Sequence, residues 1–292
     1  MDKVLLITGI FSLALILRRM GAVREGHIGL LVRYVMTLSL PCLTLMTIGT
    51  LDLRRAHFDI AVIAWVVMAT GVLASYAIGR LANLSGNRLR VFMLVSTFPN
   101  TAFLGYPFSY SLFGNEGLSY AIIYDQLGMF PLFLTLGLFI AGGKESMAHL
   151  FRFPPLIALV AALLLNLMGL PPSGILAKLL SGIGWTTLPL TIFIIGLKVR
   201  FSTLHDMKSV IGSLLLRMLL MPALLFLILH LLGMEGVPYR VAILESAMPP
   251  ALITGIVAMQ YRLDEDLAVS CVSIGTVLSL IMITIAMCLQ NL

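Results

Sequence analysis

Three charged side chains stand where charge is expensive. Asp125, Glu245 and Arg217 each fall inside a long apolar stretch. An ionisable group at such a place is held by a partner, an ion path or a substrate. Asp125 is read as binding a proton or Na⁺, or as pairing with Arg217. Glu245 lies five residues beyond Arg240, ~7.5 Å into its stretch at helical rise. It is either a second titrating group or an interfacial residue near water. Arg217 is a partner for either acid, a contact for an anionic substrate, or a side chain that snorkels to the interface. Asn100, Thr101 and Thr254 are neutral hydrogen-bonding groups beside Pro99, Gly105, Pro249 and Pro250, and these seven form the candidate substrate-binding set. Gln126 is a weaker candidate, Asn166 an interhelical hydrogen bond and Arg33 an interfacial anchor.

Other chemistries find no footing. The five histidines, His27, His57, His149, His205 and His230, lie in loops or near helix ends and form no H-E-x-x-H pattern. No G-x-S-x-G and no nucleotide-binding loop is present, so the sequence points away from an enzyme and from ATP hydrolysis. Cys42, Cys271 and Cys288 sit in apolar runs without metal-like spacing and read as small core residues. No cofactor is expected beyond a coupling H⁺ or Na⁺, and no nucleic acid partner.

The elements that carry these groups are membrane spans. Of 292 residues 60% are hydrophobic and only 11% charged, and mean hydropathy is +1.05. Soluble domains carry roughly 25% charged residues. Apolar runs of spanning length fall near 3–20, 28–50, 58–82, 89–113, 117–141, 154–171, 175–198, 209–232, 239–261 and 265–289. The first is read as an uncleaved helix, because Arg18, Arg19 and Met20 follow it instead of a small-residue cleavage site. Loops after odd-numbered spans hold twelve cations, Arg18, Arg19, Arg24, Arg80, Arg88, Arg90, Lys144, Arg152, Lys198, Arg200, Lys208 and Arg262. The other side holds five, Lys3, Arg54, Arg55, Lys178 and Arg240. Positive charge marks the cytoplasmic side, so both termini are expected outside.

The two halves resemble each other. Arg90-Val91, Leu94, Ser96, Pro99 and Gly105 recur as Arg240-Val241, Leu244, Ser246, Pro249 and Gly255, an offset of 150 residues. Met20-Gly21, Gly26 and Leu40-Pro41 recur as Met168-Gly169, Gly174 and Leu188-Pro189, an offset of 148. That offset spans about five helices, an odd number, so the second copy enters the membrane from the opposite face. The predicted fold is all-α and polytopic: ten spans as a 5+5 inverted repeat. Residues 1–141 form the first repeat, 142–153 a cytoplasmic linker and 154–292 the second repeat. Proline near the middle of the fourth and ninth spans breaks both helices. Unwound backbone at that depth must be buried or line a cavity. Asn100 and Pro250 each lie ~15 Å into their spans, near the midplane. Half-helix N-termini there favour an anion, and freed carbonyls a cation.

The segments Ser96 to Pro107, Leu188 to Leu197 and Met248 to Ala251 carry a family resemblance. The chain resembles the auxin efflux carrier family, which includes plant auxin exporters and bacterial dicarboxylate or malonate carriers. The likeness covers essentially the whole chain, without the long cytoplasmic loop of the plant exporters. It implies the fold shared with bile-acid symporters, with crossed helices 4 and 9, a scaffold of helices 1, 2, 6 and 7, and an elevator-like motion. It also implies a bacterial inner-membrane protein and a homodimer. The expected function is secondary transport of a small organic anion, such as a carboxylate, driven by membrane potential, H⁺ or Na⁺. A passive anion channel and a membrane-embedded sensor are the alternatives.

Overall fold

A computed structural model describes residues 2–52, 55–143, 153–199 and 206–289. Arg54, Lys144, Arg152, Arg200, His149, His205 and most of the 142–153 linker lie outside the described residues, as do the side chains of Lys3, Arg55 and Cys288. The described residues form helices joined by short connections and contain no strand; one isolated backbone bridge joins Pro99 and Pro250. The helices are α1 (Asp2–Arg19), α2 (Glu25–Gly49), α3 (Arg55–Leu81), α4 (Gly86–Thr97), α5 (Thr101–Ala141) and α6 (Pro154–Leu167). They continue with α7 (Gly174–Lys198), α8 (Met207–Leu231), α9 (Val237–Ser246), α10 (Leu252–Gln260) and α11 (Glu265–Leu289). Six of these runs are long and apolar enough to cross a bilayer. Gly114 interrupts α5 at φ +66°, a conformation glycine adopts without strain, and so separates the fourth apolar run from the fifth.

The chain is apolar outside and polar within. Leu73, Phe139, Ile175 and Leu231 are all more than 70% exposed, whereas Thr44, Thr97, Asn100, Asp125, Gln126, Arg217 and Glu245 are buried. A water-soluble protein does the reverse; lipid is the solvent that accepts this surface. The helices pack in two groups. In one, α1 runs along the Thr187–Lys198 half of α7. Gly196 permits that approach, because a Cβ there would lie 2.6 Å from Ala14 Cβ. The Leu40–Gly49 part of α2 packs on α6 and on the first half of α7. Asn166 of α6 closes the end of α2, donating to the carbonyls of Leu51 at 2.6 Å and Ile48 at 3.0 Å. The other group is α3, α4, α5, α8, α9, α10 and α11.

Three helices carry four widened, π-type turns: Val35–Ser39 in α2, Thr101–Gly105 and Tyr124–Met129 in α5, and Leu216–Leu220 in α8. Each ends two residues before a proline: Pro41, Pro107, Pro131 and Pro222. A proline ring clashes with the carbonyl four residues earlier. That carbonyl lies inside the wide turn in every case, where the added residue moves it aside. A fifth wide turn, Phe133–Gly137, follows Pro131 instead. Thr101, Asp125, Gln126 and Arg217 all stand on these turns.

Candidate functional site

The chain leaves helix in the buried interior between α4 and α5 and between α9 and α10, and the two breaks meet. Phe98 and Ala251 are extended. Prolines 99, 249 and 250 have no N–H, so Asn100 and Ala251 hold the backbone donors of the extended stretches. Asn100 N–H donates to Pro249 at 2.8 Å, and Ala251 N–H donates to Phe98 at 2.9 Å. The breaks therefore satisfy each other, which is what backbone in an apolar medium requires.

The carbonyls at the ends of α4 and α9 need donors as well. Arg217 supplies them from α8. Its Nη1 donates to Thr97 at 2.7 Å, Nη2 to Ser246 at 2.7 Å and Nε to Met248 at 3.3 Å. The side chain is fully buried, so it does not snorkel. Its three hydrogen bonds go to backbone carbonyls, and among the described residues none reaches Asp125 or Glu245. Both pairings were reasonable on depth alone, but the unpaired carbonyls lie nearer the guanidinium.

Asp125 turns towards the first break. Thr101 Oγ1 donates to its Oδ1, and the Tyr106 hydroxyl donates to its Oδ2 at 2.7 Å. Gln126 Nε2 reaches Tyr106 at 3.5 Å and donates to Thr44 Oγ1 of α2 at 2.8 Å. A series of side chains thus runs from α2 to Thr101. Glu245 occupies a separate position. It is fully buried, not interfacial; Ser109 donates to its Oε1 at 2.9 Å, and its Oε2 has no partner among the described residues. Gly105 lies against this carboxyl, and a Cβ there would overlap it.

A cavity of about 50 Å³ opens beside the crossing. Its walls include Thr101 to Phe103 from the first turn of α5 and Ala251 to Ile253 from the first turn of α10. Asn100 lines it too, buried, with Nδ2 lacking a partner among the described residues. Asp125, Pro99 and Phe153 complete that side. Of the seven sequence-predicted binding residues, Pro99, Asn100 and Thr101 border the cavity. Pro249 and Pro250 shape the crossing from behind, Gly105 packs on Glu245, and Thr254 bonds back to its own turn at Ala251, 2.6 Å. Tyr106, Ser109 and Thr44 received no role from the sequence. Tyr106 precedes Pro107 at the end of the Ser96–Pro107 segment and Ser109 lies two residues beyond it, and that proximity was the available signal.

Two larger spaces flank the crossing. One, about 570 Å³, is lined by Leu43, Thr47, Asp52, His57, Tyr120 and Trp185 among others. Leu43 lines this space, and its chain neighbour Thr44 begins the series that runs through Asp125 to Thr101. The other, about 130 Å³, includes Glu25, Lys198 and Leu252, and Leu252 also borders the crossing cavity.

Crossed, proline-broken helices in an inside-out polar bundle are the architecture of a membrane carrier, and comparison with known sequences agrees. A profile described as membrane transport protein matches residues 1–148 and 138–287. The chain belongs to this family, that of the auxin efflux carriers. Similar proteins include an uncharacterized transporter of Methanothermobacter thermautotrophicus, 32% identical over 96% of this chain and 95% of its own length. Another is an uncharacterized transporter of Methanocaldococcus jannaschii, 29% identical over 98% and 97%. The chain is thus a multi-pass member of a membrane transport family, and that membership implies transport rather than catalysis.

Proposed function

We propose that this auxin efflux carrier family member is a secondary transporter for a small organic anion of the carboxylate class, bound at the crossing cavity. One observation carries the reading: the first turns of α5 and α10 border a single cavity with the Asn100 Nδ2, which has no partner among the described residues. N-terminal turns present N–H groups without intrahelical acceptors and the positive end of the helix dipole. An amide donor and two such turns suit an anion. Asp125 opposes that charge, so a proton or Na⁺ at Asp125 accompanies the substrate. The membrane potential drives the cycle where charge remains unbalanced.

The wider frame belongs to the same reading. Ten spans form two inverted five-helix repeats; α1, α2, α6 and α7 make a scaffold against which the crossing bundle slides, and two copies pair through it. The protein sits in the cytoplasmic membrane with both termini outside. The spaces beside Trp185 and beside Lys198 are the approaches from the two sides. A passive anion channel or a sensor is the competing reading; the 50 Å³ cavity and the paired breaks favour a carrier.

A thermal-shift screen of purified protein against mono- and dicarboxylates, with and without Na⁺ and across pH, tests the proposal. A bound carboxylate raises apparent Tm by mass action. The shift is expected to vanish in Asn100→Ala and to persist in Cys288→Ala. If no carboxylate stabilises the protein, the anion assignment fails.

A further inference from the structure

We infer that Arg217 is a shared C-terminal cap for both broken helices, a positioning residue that fixes the crossing and cancels its negative side, and not a substrate or ion ligand. Each helix C-terminus carries a partial charge of about −0.5. The ends of α4 and α9 converge on the same guanidinium, so about one negative charge meets one positive charge. The geometry is a fork: Nη1 serves one repeat at Thr97, while Nη2 and Nε serve the other at Ser246 and Met248.

The wide turn before Pro222 places Arg217 on the buried face of α8, and the side chain is fully covered. Among the described residues no carboxylate forms an ion pair with it; the Tyr124 hydroxyl lies beside it. A buried guanidinium without a bonded carboxylate is costly, and Glu245 acts on it through its charge alone. The converging carbonyls are what offset that cost. Two consequences follow. The breaks are joined by a side chain as well as by the Pro99–Pro250 bridge, so they move together. The cavity beside Asn100 is left with the uncancelled, positive N-terminal ends of α5 and α10.

The experiment needs no substrate. Arg217→Ala in detergent is heated with millimolar guanidinium, with urea, which has the same planar shape without charge, and with methylammonium, which has charge without the fork. The variant is expected to lose on the order of 10 °C of apparent Tm. Guanidinium should restore a measurable part of that loss, urea and methylammonium clearly less, and wild type should respond to none. Equal recovery with urea, or no recovery, overturns the inference. If the alanine variant cannot be purified, Arg217→Lys decides. Its three donors share one nitrogen and cannot span both helix ends, so its Tm should fall below wild type, and an unchanged Tm overturns the cap. A failed carboxylate screen would leave this result standing, and a failed rescue would leave the anion reading standing.

Discussion

Asp125 is tolerated at membrane depth because two hydroxyls point at it. Thr101 and Tyr106 each occupy one carboxyl oxygen, and a buried polar atom that loses its partner costs about 1–3 kcal/mol. Tyr106→Phe keeps the ring and removes only the donor. It should lower stability by about that amount, read as a fall in apparent Tm. Thr101→Val should do the same. The two effects should not add, because both act on one carboxyl group. Thr254→Val is the contrast. Among the described residues its hydroxyl bonds only to its own turn, so the loss should stay near 1 kcal/mol or below. Asn100 differs from all of these: its amide nitrogen is buried without a partner among the described residues. A group left in that condition is a group waiting for a ligand, so Asn100→Ala should leave stability nearly unchanged while abolishing binding.

At the scale of elements, the two copies of the motif share a pattern but not their surroundings. Gly105 and Gly255 occupy matching places in the motif. A Cβ at Gly105 would overlap the Glu245 carboxyl, whereas a Cβ at Gly255 would meet nothing within 4 Å. Gly105→Ala should therefore destabilise by about 1–3 kcal/mol, and Gly255→Ala should be neutral or slightly stabilising; thermal unfolding of the two single variants separates them. This asymmetry shows what the sequence could and could not carry. Hydropathy marked ten apolar runs, and six of the observed helices are long and apolar enough to span, since lipid imposes length directly. Proline located the breaks, since a missing N–H is a local fact. The partners of Arg217 were not legible: three backbone carbonyls leave no trace in side-chain identity. Tyr106 was hidden for a similar reason. Its contact with Asp125 depends on the widened turn before Pro107, which proline spacing marks.

On the scale of the molecule, one polar clamp gathers three helices of the crossing group. Arg88 in the first turn of α4 pairs with Asp206, at the N-cap of α8, at 2.8 Å, and with Asp264, before α11, at 3.5 Å. The Ser209 hydroxyl, above all, holds the Asp206 carboxyl below the usual carboxylate range. Burial opposes this, while the Ser209 N–H and Arg88 add to it. A carboxyl depressed on folding contributes stability above its unfolded value, ~3.9, and loses that contribution as pH falls through the folded value. Asp206→Asn should thus lower apparent Tm at neutral pH, and the gap to wild type should close below about pH 4. A gap independent of pH would mean that the clamp holds by shape alone.

The most direct test of the central claim is carboxylate flux in proteoliposomes. Uptake of the carboxylate that gives the largest thermal shift should saturate with concentration, be accelerated by the same carboxylate on the opposite side, and disappear in Asn100→Ala. Flux that rises without saturation at channel-like rates, or saturable flux that survives Asn100→Ala unchanged, would contradict a carrier whose substrate binds where the two broken helices cross.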